Sequence, residues 1–318
     1  MELRPQQIEW LIPSDYPPEQ LVSSTQWELS LSLENELLRR SFLWANAIVS
    51  AGFQSMAPVE PGLSHFSAGF VTASSEQLLG LDFPSAAGFT FGAYVLIRGR
   101  ELKSSLQTLT VGDHRIPLVV NYGDFEHHGG PPHPVNGSGT CWVRNNSKGV
   151  HTWTSGILTC RHVINGLPLW TPITLEPSGE HNLPTSATLA DFDEFTIDAS
   201  ILEVGESDWP NHILPMPIQR PAAPGQGVEF KDRNGSVQTG SVLRVFYFPT
   251  YAGNLFGQRV IADCYGTAGD SGSLLMVSGS RQGVGIYMGT IPDGQGGKEG
   301  IFQDLAQVQD YFELELYL

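Results

Sequence analysis

The sequence predicts a mainly β chain preceded by a smaller α+β region. Its 318 residues include Gly 35 and Pro 22, a turn-rich composition that suits many short strands. Short apolar runs rich in Val, Ile, Thr and aromatics recur from residue 93 onward, bounded by Gly, Pro, Asn and Asp. The clearest helical spacing lies ahead of them, near the start of the chain.

The opening Met1-Glu2-Leu3-Arg4-Pro5 has no basic start leading into an apolar core, so no secretory signal is expected, and no apolar run reaches membrane-spanning length. The expected location is cytoplasmic. Residues 32–49 place Leu33, Leu37, Phe42 and Ile48 on or near one helical face, which predicts an amphipathic helix packed on its own domain. A strand at 93–98, a short helix at 100–109 and a strand at 114–123 follow, with Pro117 marking an edge or a strand start. Residues 126–134, Glu-His-His-Gly-Gly-Pro-Pro-His-Pro, read as a flexible connector. Glu126, His127, His128 and His133 have metal-ligand chemistry, but the glycines and prolines leave no scaffold to hold them, so no metal and no cofactor is expected.

Chemistry concentrates further on. In Gly266-Thr267-Ala268-Gly269-Asp270-Ser271-Gly272-Ser273 a serine is held between glycines after a Gly-Asp step, which exposes a hydroxyl beside backbone amides. Such a nucleophile needs a base and an acid. The candidate base is His162, just after the apolar run 155–159. The candidate acid is Asp198, inside the apolar run 196–202, where a carboxylate would be buried enough to orient an imidazole. Asp191, Asp193 and Glu194 are weaker rivals in a more polar stretch. Cys160 lies in an apolar run without a glycine-rich loop beside it and is a poor nucleophile.

These segments resemble the trypsin-like (chymotrypsin-fold) serine peptidases, in particular the bacterial glutamyl endopeptidase and HtrA-like branches. The order His162, Asp198, Ser271 is the chymotrypsin-type order. Gly137-Ser138-Gly139-Thr140-Cys141 is similar to the Gly-x-Gly-Thr/Ser-Gly run before the first hairpin, with Cys141 replacing the last glycine. Gly283 to Gly289 is similar to the strand lining the primary specificity pocket, and Thr239-Gly240-Ser241-Val242 to a strand of bacterial members.

The resemblance implies two six-stranded Greek-key β-barrels with the triad between them, preceded by the α+β region: 1–128 as a regulatory region or pro-segment, and 129–318 as the peptidase domain. It implies Gly269 and Ser271 as oxyanion-hole amides and Tyr265, Thr267, Tyr287 and Thr290 around the substrate pocket. Tyr287 stands where glutamyl endopeptidases carry His, and Tyr265 where trypsin carries an acid, so neither specificity is indicated. Asp270 is the expected activation switch. Its partner would be an amine freed by cleavage between Gly129 and Gly137, as in a zymogen, or an Arg, Lys or His of an intact chain. Residues 227–230 and 235–248 are expected as second-barrel strands around a polar turn, and 305–316 as a closing helix.

The activity implied is that of a serine endopeptidase acting on proteins or peptides, with room for a regulatory protein partner. The alternative is a catalytically silent protein-binding module on the same fold. A net charge of −16 argues against nucleic acid or an anionic membrane as partner. Cys141, Cys160 and Cys264 are expected as free, mostly buried thiols in a reducing compartment.

Overall fold

The computed structural model describes residues 9–318 apart from 18, 32–35, 57, 59, 61, 73–82, 86–88, 99–103, 124–125, 128–136, 147–151, 165–166, 176–185, 193–196, 220–221, 223, 250–255 and 294–296. After a 3₁₀ turn at Glu19–Leu21, α1 (Ser24–Leu31) begins with a capping box: the Gln26 N–H donates to Ser23 Oγ at 3.2 Å, and the Ser23 N–H to Gln26 Oε1 at 2.8 Å. Next comes α2 (Glu36–Met56), which overlaps the expected helix and runs a further two turns.

Helix α2 packs on a sheet of β1 (Leu63–Thr72), β2 (Phe89–Ile97), β3 (Ser104–Val111) and β4 (His114–Tyr122), in the order β1-β2-β4-β3. Trp44, Ala45, Ala47, Ile48 and Val49 meet Ala93, Val95, Ile97, Leu118 and Val120 in one core. Gly52 is required there, because a Cβ would stand 1.9 Å from Phe66 Cζ.

The expected helix at 100–109 is corrected: its described part lies in β3, antiparallel to β4 from Ser104↔Asn121 to Val111↔His114. Leu109 and Val111 alternate inward with exposed Thr110 between them, and the two-residue Gly112-Asp113 loop, with Gly112 at φ 59, closes a hairpin. Pairing outweighs the helical propensity of a short polar run.

The barrels use β5 (Glu126–His127), β6 (Cys141–Asn145), β7 (Ser155–Thr159), β8 (Pro172–Thr174), β9 (Ser186–Phe192), β10 (Ser200–Glu203), β11 (Gly227–Lys231), β12 (Val237–Pro249), β13 (Phe256–Ala262), β14 (Leu274–Val277), β15 (Gly283–Pro292), β16 (Lys298–Asp304) and β17 (Leu314–Tyr317). A 6-stranded sheet in the order β17-β6-β7-β10-β9-β8 forms the first. The order β11-β14-β15-β16-β13-β12 forms the second, closed by β11 pairing with β12. The expected polar turn joins β11 to β12, where Asp232 Oδ1 accepts the N–H groups of Asn234 and Ser236 at 2.9 Å each.

The C-terminal expectation is half right. Helix α3 (Leu305–Phe312) starts on the Asp304 side chain, which accepts the Gln307 N–H at 2.8 Å, and ends where Glu313 turns left-handed at φ 52. Leu314 and Leu316 then alternate inward as β17, which pairs with β6 and returns the chain to the first barrel.

The N-terminal sheet is joined to the second barrel by hydrogen bonding, since β1 pairs with β12 from Ala68↔Tyr247 to Phe70↔Val245. Strand alternation on β2 sends Ala93, Val95 and Ile97 toward α2 and Tyr94 and Leu96 into the core shared by the barrels. The boundary expected at 128/129 lies outside the described residues. Among the described residues no helix is long and apolar enough to cross a membrane.

Candidate active site

His162 lies in the 3₁₀ turn Arg161–Ile164, which follows β7 after Cys160. Every residue of β7 is buried, so the turn is set rigidly at the end of a core strand. Asp198 precedes β10, and β10 pairs with β7 at Ser200↔Thr159. That pairing brings acid and base to the same end of the first barrel. Ser271 comes from the second barrel, on the loop between β13 and β14.

The three expected residues meet. His162 Nε2 is 2.8 Å from Ser271 Oγ, while His162 Nδ1 is hydrogen-bonded to Asp198 Oδ2. The His162 backbone N–H donates to the other carboxylate oxygen, Asp198 Oδ1, at 2.9 Å. Burial pushes the Asp198 carboxyl up, but the imidazole charge, both His162 hydrogen bonds and the Arg259 guanidinium outweigh it and hold the group at about 2. Asp198 is therefore a carboxylate at neutral pH, and it fixes the ring with Nε2 facing the serine.

Residues without a sequence signal support the acid. Gln303 is fully buried on β16, opposite Arg259 of β13; its Oε1 accepts the Asp198 N–H at 3.2 Å and a hydrogen bond from Arg259. Its Nε2 donates to Gln307 Oε1 at 3.0 Å, tying the cluster to α3.

The serine is braced from both barrels. Its hydroxyl also lies 3.1 Å from the Met288 carbonyl, which competes with His162 for the single proton. The Gly272 N–H donates to the Tyr287 carbonyl at 2.8 Å, and the Cys160 thiol donates to the same carbonyl at 3.1 Å. From the Gly137–Cys141 segment, the Ser138 N–H donates to the Ser271 carbonyl at 2.6 Å and Thr140 Oγ1 to the Gly272 carbonyl at 2.6 Å. Gly272 has φ +99, and a Cβ there would sit 1.8 Å from the Ser138 carbonyl oxygen. Gly269, one of the two expected oxyanion amides, is at φ +96, a conformation that a side chain disfavours. Cys160 is buried, and burial followed by the Asp198 charge drives its thiol far above the ordinary range. It is a neutral donor beside the triad.

The cation expected beside Asp270 in an intact chain and the pocket position expected for Tyr287 are not found. In the intact chain Asp270, 1% exposed, accepts no hydrogen bond from an Arg, Lys or His side chain among the described residues. Its Oδ1 accepts the Arg233 N–H at 2.9 Å and its Oδ2 the Thr267 N–H at 2.6 Å and Thr267 Oγ1 at 3.1 Å. All three donors are neutral, and the Thr267 hydroxyl, expected at the pocket, is one of them. Tyr287, expected at the pocket, has no exposed surface: its ring stacks on Phe230 at 5.3 Å and packs against Phe302 at 5.2 Å in the second-barrel core. Tyr265 is 45% exposed beside the loop, and Thr290 is buried on β15. The rival Asp191 is occupied elsewhere, accepting from the Phe192 N–H and, at 3.4 Å, from Trp153 Nε1. Asp193 and Glu194 lie outside the described residues.

No protein-family model and no curated protein matches the sequence. Solved structures of trypsin-like serine proteases are similar to it. Thermobifida fusca Protease A is 18% identical, with a TM-score of 0.42 over 58% of this chain and 92% of that one. Nocardiopsis Protease is 14% identical, with a TM-score of 0.41 over 57% and 98%. A glutamic acid-specific serine protease described as using a novel histidine triad in substrate binding is 16% identical, with a TM-score of 0.41 over 70% and 100%.

Proposed function

We propose that the chain is a serine endopeptidase working through His162, Asp198 and Ser271. The observation that carries this is the continuous line from the Asp198 carboxylate through His162 to the Ser271 hydroxyl, with 2.8 Å between Nε2 and Oγ. Asp198 holds the imidazole and stabilises its cation as His162 takes the serine proton and Oγ attacks a peptide carbonyl. The N–H groups of Gly269 and Ser271 receive the developing oxyanion. His162 then protonates the leaving amine, and water activated by the same imidazole releases the acyl group.

Substrates in this reading are proteins or peptides, and the N-terminal region regulates access. The buried free thiols Cys141, Cys160 and Cys264 accord with a reducing, cytoplasmic setting. Digestion of a peptide library tests the activity. Wild type should generate new termini and Ser271→Ala none; equal products from both would exclude this mechanism.

A further inference from the structure

One strand next to the nucleophile is paired with an unexpected partner. On one side of β15, β16 runs the whole way, from Gly285↔Asp304 to Pro292↔Lys298. On the other, β14 pairs at Leu274↔Ile286, Leu275↔Gly285 and Met276↔Gly283. Beyond Ile286 that edge is left by β14, and among the described residues it is taken by β5, with Gly289↔His127 and Thr290↔Glu126 in antiparallel register. Residues 126–127, expected as the start of a flexible connector, are thus a strand, while 128–134 lie outside the described residues.

This edge begins at the nucleophile. Met288 presents its carbonyl to Ser271 Oγ at 3.1 Å, and Gly289 and Thr290 are the next residues along β15. An extended peptide adds to an open sheet edge through its main chain, and one bringing a carbonyl to Oγ along this edge would use Gly289 and Thr290. Because β5 is antiparallel, its chain direction runs toward Met288 and Ser271, as the acyl side of such a peptide would.

The fold delivers the segment there. The Asn121 side-chain amide, near the end of β4, donates to the Pro292 carbonyl at the end of β15 at 3.4 Å, and the Gly123 N–H donates to the Ile97 carbonyl at 2.9 Å. The buried ion pair between Arg244 and Glu299, whose guanidinium lies 5.4 Å over the Tyr94 ring, fastens the N-terminal sheet behind the same strands. Downstream, Gly137 packs so close to Ser271 that a Cβ would stand 2.7 Å from its carbonyl oxygen. The chain is therefore anchored on both sides of the nucleophile, before and after the connector.

We infer that Glu126–His127 is an internal occupant of the edge on which substrate main chain would add, so that the intact chain competes with its own substrate; this rests on the peptidase reading. A two-residue strand is weak, but tethering raises its local concentration to about the millimolar range, enough to hold an edge that a free dipeptide would not. Release by cleavage in the connector, or by a partner that draws the N-terminal sheet away, would open the edge without rearranging the triad. Regulation is then a matter of strand exchange on β15, with Asp270 satisfied throughout.

The test compares two substrates on Glu126→Pro/His127→Pro, which removes the ladder N–H whichever of the two residues forms the hydrogen-bonded pair with β15. A small fluorophosphonate needs the triad alone, whereas a tetrapeptide or longer amide substrate needs the β15 edge. The expected result is a rise in kcat/KM for the peptide of about tenfold, as for a strand docked in roughly nine of ten molecules, with the labelling rate unchanged within about twofold. If the double variant does not fold, the two single substitutions are measured side by side, since one of them removes the ladder N–H. Unchanged peptide kcat/KM with normal labelling overturns the inference and leaves the peptidase reading standing. A wild type and variant that both fail to label overturn the peptidase reading, and this inference with it.

Discussion

One carboxylate holds His162 twice: Asp198 Oδ1 accepts its backbone N–H at 2.9 Å, and Oδ2 bonds its ring Nδ1. Main chain and imidazole are fixed by the same group, so the position of the base and its tautomer are not independent. Asp198→Asn can keep the backbone bond but must offer an amide N–H to Nδ1, which turns the ring to the wrong tautomer. The expected outcome is a folded protein with kcat lowered about 10⁴-fold, measured by steady-state peptide hydrolysis with the native fold checked by circular dichroism.

The same pairing makes stability depend on acid. Folding lowers the Asp198 carboxyl from 3.8 to about 2, so its contribution is fully present above about pH 4 and is lost as pH falls through about 2. Denaturant unfolding of wild type and Asp198→Asn should differ most at neutral pH and converge across that window. A difference independent of pH from 7 down to 2 would mean that the carboxylate is not held by His162.

Gln303 is a positioning residue, linking Arg259 to the Asp198 amide. Gln303→Leu leaves the buried Asp198 N–H without its acceptor, at a cost of about 1–3 kcal/mol. Thermal unfolding should show that loss, and kcat should fall with an altered pH profile while KM changes little. Gln303→Glu, which keeps an acceptor, should recover part of kcat.

Gly272→Ala tests the brace under the nucleophile. Positive φ alone costs of order 1–3 kcal/mol for a residue with a side chain, and here the Cβ also meets the Ser138 carbonyl at 1.8 Å. Both the melting temperature and the rate of Ser271 modification should drop. Retention of both would show that the loop has another way to seat.

Cys160 stands within the triad's surroundings, and burial holds its thiol neutral. Iodoacetamide at pH 7–8 should leave activity intact over a time in which an exposed thiol is fully alkylated. Rapid inactivation, abolished in Cys160→Ser, would assign the thiol a part in the chemistry.

The triad was legible because each member sits in a local pattern: Ser271 between glycines, His162 after a buried strand, Asp198 before one. Its support was not. Gln303 and Arg259 meet through the pairing of β13 with β16, a register that no local motif encodes. Tyr287 was misplaced because sequence shows that β15 is a strand but not which core its rings enter. The stretch 305–316 spaces Leu305, Val308, Phe312 and Leu316 like a helix, while Leu314 and Leu316 equally suit a strand; the left-handed turn at Glu313 decides between them. Two residues such as Glu126 and His127 carry too little pattern to announce a strand beside glycine and proline, and an edge supplied by β15 makes them one.

In the proposed mechanism His162 and Asp198 activate Ser271. Peptide mapping by mass spectrometry after fluorophosphonate treatment tests it most directly, across wild type, His162→Ala and Ser271→Ala. A single phosphonyl adduct on Ser271 is expected in wild type, formed orders of magnitude more slowly in His162→Ala and absent in Ser271→Ala. An unmodified Ser271 in folded wild type, or labelling at the same rate without His162, would contradict it.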